Sequence, residues 1–296
     1  MQTILVPIDF SAASENALVY ANKLALHLPA EIVLVHSSPG ATLTPERRVA
    51  LLSRLQALAE RLRYQHLTRQ SGRRIHYHFH MATASLADSL EVLVGGYHAS
   101  LVVTGLSLMD CATATAAGNP ITLLPEHVSC PVLIVPPGRH ELASQVVVSG
   151  DFSRLHASQL APLTSLARSA DAHFDLVQFH PPTTTGLVPL KKALMAARAT
   201  LSNATVHLLP EEDALEDISE FCAQQKAQLL VLATVDGCLT RRFFNPHYIK
   251  TDAYHLHIPV LLLPTSTLPT KACCDQCSLR QAAENRLAAR ISIVTF

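Results

Sequence analysis

One eight-residue stretch occurs twice in this chain, and that recurrence limits the fold more than any other feature. Ile4-Leu5-Val6-Pro7-Ile8-Asp9-Phe10-Ser11 is restated as Val146-Val147-Val148-Ser149-Gly150-Asp151-Phe152-Ser153. A recurrence of this kind indicates one folding unit used in tandem. The correspondence continues downstream: Leu34-Val35-His36 is answered by the run ending at His180, Leu101–Gly105 by Leu229–Ala233, and Cys130–Pro136 by Ile258–Pro264. This places His36 and His180 at equivalent strand ends. The 296 residues suit two domains of about 100–200 residues each. The expected division is residues 1–139, residues 140–266 and a tail of residues 267–296, with Pro136 to Glu141 as the linker.

Within each unit, strand and helix patterns alternate. The apolar run Ile4–Ile8 ends at Asp9, and Ser11 is placed to cap a helix on which Ala17, Leu18, Ala21, Leu24 and Ala25 recur at helical spacing. Glu31 to His36 then reads as a buried strand, so the unit opens as a right-handed parallel βαβ crossover. Further on, the pattern predicts a helix over 45–65, a strand over 74–81, a helix over 86–95, a strand over 100–105, a helical stretch over 121–128 and a strand over 130–136. The expected class is α/β: two tandem open parallel sheets with helices on both faces.

Composition narrows the function. Hydrophobic residues make up 49% and charged residues 16% against a usual share near 25%, so the chain has ample apolar surface to bury. Lysine plus arginine equals aspartate plus glutamate at 23 each, which lacks the basic footprint of a nucleic-acid or anionic-membrane binder. Sixteen histidines make that balance sensitive to mild acid. The uncharged stretch Leu93 to Met109 is too interrupted by Gly95, Gly96, His98, Ser100, Thr104 and Gly105 to span a membrane. The N-terminus shows no basic region before an apolar core, and the seven cysteines read as reduced thiols, so a cytoplasmic location is expected.

The Ile4–Ser11 run, the helix beginning Glu15-Asn16-Ala17-Leu18 and the closing Cys130–Pro136 run together resemble the universal stress protein family in its tandem form, over about residues 1–266. The resemblance implies five-stranded parallel sheets in the order 3-2-1-4-5 and pairing through the fifth strands. Here that pairing would join the two repeats as an intramolecular pseudo-dimer, with a homodimer as a further option. Nucleotide-binding members carry an Asp after the first strand and a loop of the form G-x2-G-x9-G-(S/T) after the fourth. Glycines let backbone amides approach phosphates at the mouth of an open α/β sheet. Asp9 matches the first element, with Pro7 and Ile8 beside it. Gly105 starts the loop, Leu108 stands where a glycine belongs, and the spacing lands on Gly118 followed by Asn119. ATP or AMP is therefore the cofactor implied, at one weakened site in the first repeat. The second repeat keeps Asp151, but Val235-Asp236-Gly237 leads into Cys238 and Phe243-Phe244 with no later glycine, so no nucleotide is expected there.

Each of these residues also has a structural reading. Asp9 and Asp151 either contact ligand or cap the loop into the first helix, and Gly105 and Gly118 either approach phosphate or serve a turn. His76, His78 and His80 share one face of a strand, as a metal site or as a solvated edge; His255 and His257 pose the same choice. Cys273, Cys274 and Cys277 have the spacing of half a zinc site, with no second pair to complete it. No nucleophile elbow, Walker loop or HExxH motif is present, so no enzyme is expected. Two readings remain: a non-enzymatic stress-response protein with one adenine-nucleotide site, or a nucleotide-independent scaffold that uses the fold for dimerisation and partner binding.

Overall fold

The structure is a computed structural model and describes residues 2–40, 43–65, 74–106, 124, 127–155, 157–184, 186–201, 203–233 and 257–264. The first repeat runs β1 (Gln2–Pro7), α1 (Ala12–His27), β2 (Ala30–Ser37), α2 (Pro45–Gln65), β3 (Tyr77–Ala82), α3 (Leu86–Gly96), β4 (Leu101–Gly105) and β5 (Val132–Val135). The second runs β6 (Gln145–Gly150), α4 (Ala157–Ala170), β7 (His173–His180), α5 (Val188–Thr200), β8 (Ala204–Pro210), α6 (Ala214–Gln224), β9 (Leu229–Ala233) and β10 (Val260–Leu262). Most of the helical stretch expected over 121–128 lies outside the described residues.

The ten strands form one sheet in the order β3-β2-β1-β4-β5-β10-β9-β6-β7-β8. All neighbours are parallel except β5 and β10, which meet antiparallel with Leu133 opposite Leu261. The strands are apolar on both faces because helices cover both. Alternate residues feed two cores: Ile4 and Val6 join Leu18 of α1, Leu55 of α2 and Leu163 of α4, while Leu5 joins Leu90 of α3 and Phe221 of α6. Ser11 caps α1 by accepting from the Ser14 amide at 3.2 Å. The connection between repeats is tied to α1: the Asn16 amide donates to the Pro136 carbonyl at 2.9 Å, and Lys23 Nζ donates to the His140 carbonyl at 2.6 Å and pairs with Glu141.

Strand register corrects one expected equivalence. Pro7 pairs with Val35 and Ser149 with Val177. His36, one residue past Val35, therefore corresponds to Gln178, not to His180. The sequence match aligned the ends of two apolar runs, and β7 extends to His180 beyond the point where Gln178 occupies the equivalent position. Among the described residues, no helix is long and apolar enough to cross a membrane.

Candidate functional site

The two repeats differ at the carboxyl ends of their central strands, where the chain order reverses and open α/β sheets take ligands. In the second repeat β6 and β9 stay paired from Val146↔Leu229 to Gly150↔Ala233. In the first, β1 and β4 pair only at Ile4↔Leu101 and Leu5↔Val102. Pro7 accounts for the difference. The Gln2 and Ile8 amides donate to the β2 side, to Pro29 and Val35, so the amide of position 7 would face β4, and proline has none. Ser149 stands at that position in the second repeat and keeps its amide. Pro7→Ser is accordingly expected to extend the β1–β4 ladder, which hydrogen exchange detects as slowed exchange at Gly105; unchanged exchange there contradicts this origin of the gap.

At this end of the sheet lies a cavity of about 230 Å3 whose lining includes Pro7, Ile8, Asp9, Ser14, Thr104 and Gly105, with Val35 and Ser37 of β2 and Leu86 of α3. Four of the six residues singled out from sequence thus meet in one place. The other two, Gly118 and Asn119, lie outside the described residues, as does Leu108.

Asp9 is exposed at the rim, and its Oδ1 accepts from the Ser11 amide at 2.9 Å. Partial burial pushes its carboxyl pKa up, but hydrogen bonds from the Ser11 and Ser14 side chains and the Ser11 backbone outweigh this and hold it below the usual range. Asp9 is therefore an anion at neutral pH. Gly105 is fixed by packing: a Cβ there would overlap the Ala13 carbonyl and lie 3.1 Å from the Ser14 amide, so the first turn of α1 seats directly on the end of β4. Phe10, next to Asp9, has φ 65°, an uncommon conformation for a bulky side chain. Its surroundings hold it there. The Arg54 guanidinium lies 3.9 Å from the ring centroid, and the His36 ring lies 5.1 Å away. His36 Nδ1 lies 2.7 Å from the Ile8 carbonyl and must donate to it; Nε2 lies 3.1 Å from the Ser38 hydroxyl. Phe10, Ile8 and Arg54 reach this place from separate elements, which the linear sequence does not show.

In the second repeat the described residues at the equivalent place are bonded to one another. Asp151 Oδ1 accepts from the Ser153 amide at 3.1 Å and from the Gln178 amide at 3.1 Å, and Gln178 in turn accepts from the Phe152 amide at 3.2 Å. A Cβ on Gly150 would overlap the Ala233 carbonyl. Arg154 and Leu155, the counterparts of Ala12 and Ala13, are not helical; the Arg154 amide donates to the Asp151 carbonyl in a turn.

His76 and His78 are exposed and His80 is half-buried, with His76 leading into β3 at the outer edge of the sheet. His78 Nε2 lies 3.2 Å from Glu31 of β2, a carboxylate that strand pairing supplies and the linear pattern does not show. Among the described residues, no three His, Cys, Asp or Glu side chains are grouped to hold a metal ion. His257 is exposed; His255 and the Cys273, Cys274 and Cys277 cluster lie outside the described residues. Cys130 and Cys222 are buried free thiols whose pKa values burial pushes up to about 11 and about 12, which makes them unreactive as nucleophiles.

Residues 1–136 match the universal stress protein family. A universal stress protein from Archaeoglobus fulgidus DSM 4304 is similar over 89% of this chain and 96% of its own, with a TM-score of 0.62 and 12% identity. A functionally unknown protein from Pseudomonas aeruginosa PAO1 is similar over 97% and 98%, with a TM-score of 0.56 and 16% identity. At these identities the likeness is one of fold. A universal stress protein in complex with cAMP covers 45% of this chain at 17% identity, with a TM-score of 0.34. No curated protein matches the sequence. The first repeat is thus matched by the universal stress protein family model, and the second half of the chain repeats the same fold.

Proposed function

We propose that this is a cytoplasmic, non-enzymatic stress-response protein that binds one adenine nucleotide, ATP or AMP, in the crevice of its first repeat. The second repeat serves architecture and partner contacts, and the two repeats act as an intramolecular pseudo-dimer. The observation that carries this reading is the crevice at the ends of β1 and β4, where pairing stops early, whereas β6 and β9 stay paired to Gly150 and Ala233. Asp9 sets the polarity of the ligand. An ionised carboxylate accepts hydrogen bonds from an amine or a hydroxyl and repels phosphate, so base or ribose belongs at Asp9 and phosphate away from it, toward Gly105 where the loop after β4 begins. At about 230 Å3 the cavity is below the ~300–1,000 Å3 of drug-sized sites, which suits a nucleoside portion with phosphates extending outward. Asp9 is the sole carboxylate among the described lining residues, whereas phosphoryl transfer needs metal-holding acids and a group that orients the nucleophile.

A second reading, the nucleotide-independent scaffold, is favoured by the fact that Asp9 and Gly105 each already have a structural duty, to the Ser11 amide and to Ala13. Calorimetric titration with AMP and ATP separates the two. Under the first reading Asp9→Ala weakens binding about tenfold or more, the value of a hydrogen bond to a charged group, and Leu108→Gly strengthens it. Under the second, neither substitution changes the heat.

A further inference from the structure

A second cavity, of about 420 Å3, lies where the two halves of the sheet join, on the face covered by α1 and α4. It straddles the local twofold relation between the repeats. Leu133 and Leu261, directly opposed across the β5–β10 pair, are both in its wall, as are the equivalent residues Leu101 and Leu229. Tyr20 of α1 and Pro162 of α4 complete the relation, since both follow their repeat's Asp by eleven positions. That pair is unequal. A compact proline ring stands where the first repeat has a tyrosine, and the strict symmetry that would fill the space with a second phenol is absent.

The lining defines the chemistry of an occupant. None of the described lining residues is Asp, Glu, Lys, Arg or His, so an ion would lose its hydration without a counter-charge. Polar side chains stand at the amino ends of the strands, Gln2 at the start of β1, Ser100 just before β4 and Ser129 before β5, and Tyr20 of α1 and Ser165 of α4 add two hydroxyls from the helices. Leucines from both repeats make up most of the apolar remainder. A concave, mainly apolar site of this size with a few uncharged polar groups suits a small molecule. At about 30 Å3 per water-sized unit it has room for on the order of 15 non-hydrogen atoms.

We infer that the cavity between the repeats is a binding site for an uncharged, mainly apolar small molecule with one polar group, separate from the crevice at Asp9. The probe is N-phenyl-1-naphthylamine, a neutral compound that fluoresces in apolar surroundings, titrated into the full chain. Saturable binding at one molecule per chain is expected, competed by 1-octanol and unaffected by excess AMP. Ala161→Phe and Ser165→Phe, which place a ring in the wall contributed by α4, are each expected to weaken the probe at least tenfold while the thermal midpoint stays near that of the wild type. Displacement by AMP, competition by octanoate as strong as by octanol, binding unaltered in both filled variants, or no saturable binding by the wild type would each overturn the assignment.

Discussion

Gly105→Ala is expected to cost about 3 kcal/mol of stability, at the upper end of the usual range for an added group in a packed interior. The atoms in the way belong to the Ala13 backbone, which cannot rotate aside as a side chain can. Relief requires lifting the first turn of α1 from the end of β4, a contact that also shapes the crevice. Gly95→Ala provides the opposite case. Gly95 lies in α3 with nothing within 4 Å of a Cβ, so alanine removes backbone freedom from the unfolded chain and stabilises by about 0.5–1 kcal/mol. Chemical denaturation of the two variants should therefore move in opposite directions. A Gly105→Ala midpoint equal to the wild type would show that α1 does not seat on β4 as described.

Asp175 is the second position with a large expected effect. It is 3% exposed in β7, and its carboxylate accepts from the Thr205 hydroxyl, the Gln145 amide and His207 Nε2, the last at 2.9 Å; His173 lies 3.6 Å away. Burial pushes the carboxyl pKa up, but the hydrogen bonds from Thr205 and His207, followed by the charge of the two histidines, outweigh it and hold the pKa below the usual range. A depressed folded-state pKa contributes stability that is present above the unfolded value, near 3.9, and lost as pH falls through the folded value. Asp175→Ala is expected to cost about 1–2 kcal/mol at pH 7, because a buried charged acceptor of three hydrogen bonds is lost, while exposed Thr205 and half-buried Gln145 and His207 can turn to water. The gap from wild type should narrow as the pH falls below about 4, where the unfolded chain takes up a proton at this position while the folded carboxylate, its pKa held down, still resists it. Urea denaturation of both proteins at pH 7 and pH 3 measures this. A gap of equal size at both pH values contradicts the linkage.

Much of the fold was legible in the sequence, for a physical reason. Strands buried on both faces must be continuous apolar runs, so Ile4–Ile8, Val102–Val103 and Pro131–Val135 stood out, and their recurrence exposed the tandem unit. Contacts between distant segments were not legible. Asp175 sits between the buried residues Phe174 and Leu176 and looks like an error in a strand until β6 and β8 bring Gln145, Thr205 and His207 to it. The demand for glycine at position 105 comes from Ala13, far away along the chain. Pro7 was noted as part of a motif; its consequence for the β1–β4 ladder required knowing which amides face β4. Asp9 was placed correctly at the strand end, yet its hydrogen bond to Ser11 shows that a residue can match a ligand-binding pattern and serve the helix start as well.

The central claim is that nucleotide binding belongs to the first repeat alone. Its most direct test is calorimetric titration of the full chain, stripped of any copurifying nucleotide, with ATP, ADP and AMP, after mass spectrometry of what was removed. One site per chain is the predicted result, with an adenine nucleotide in the extract. Two equivalent sites would contradict the restriction of binding to the first repeat, and no heat with any of the three nucleotides would contradict the assignment of the crevice at Asp9.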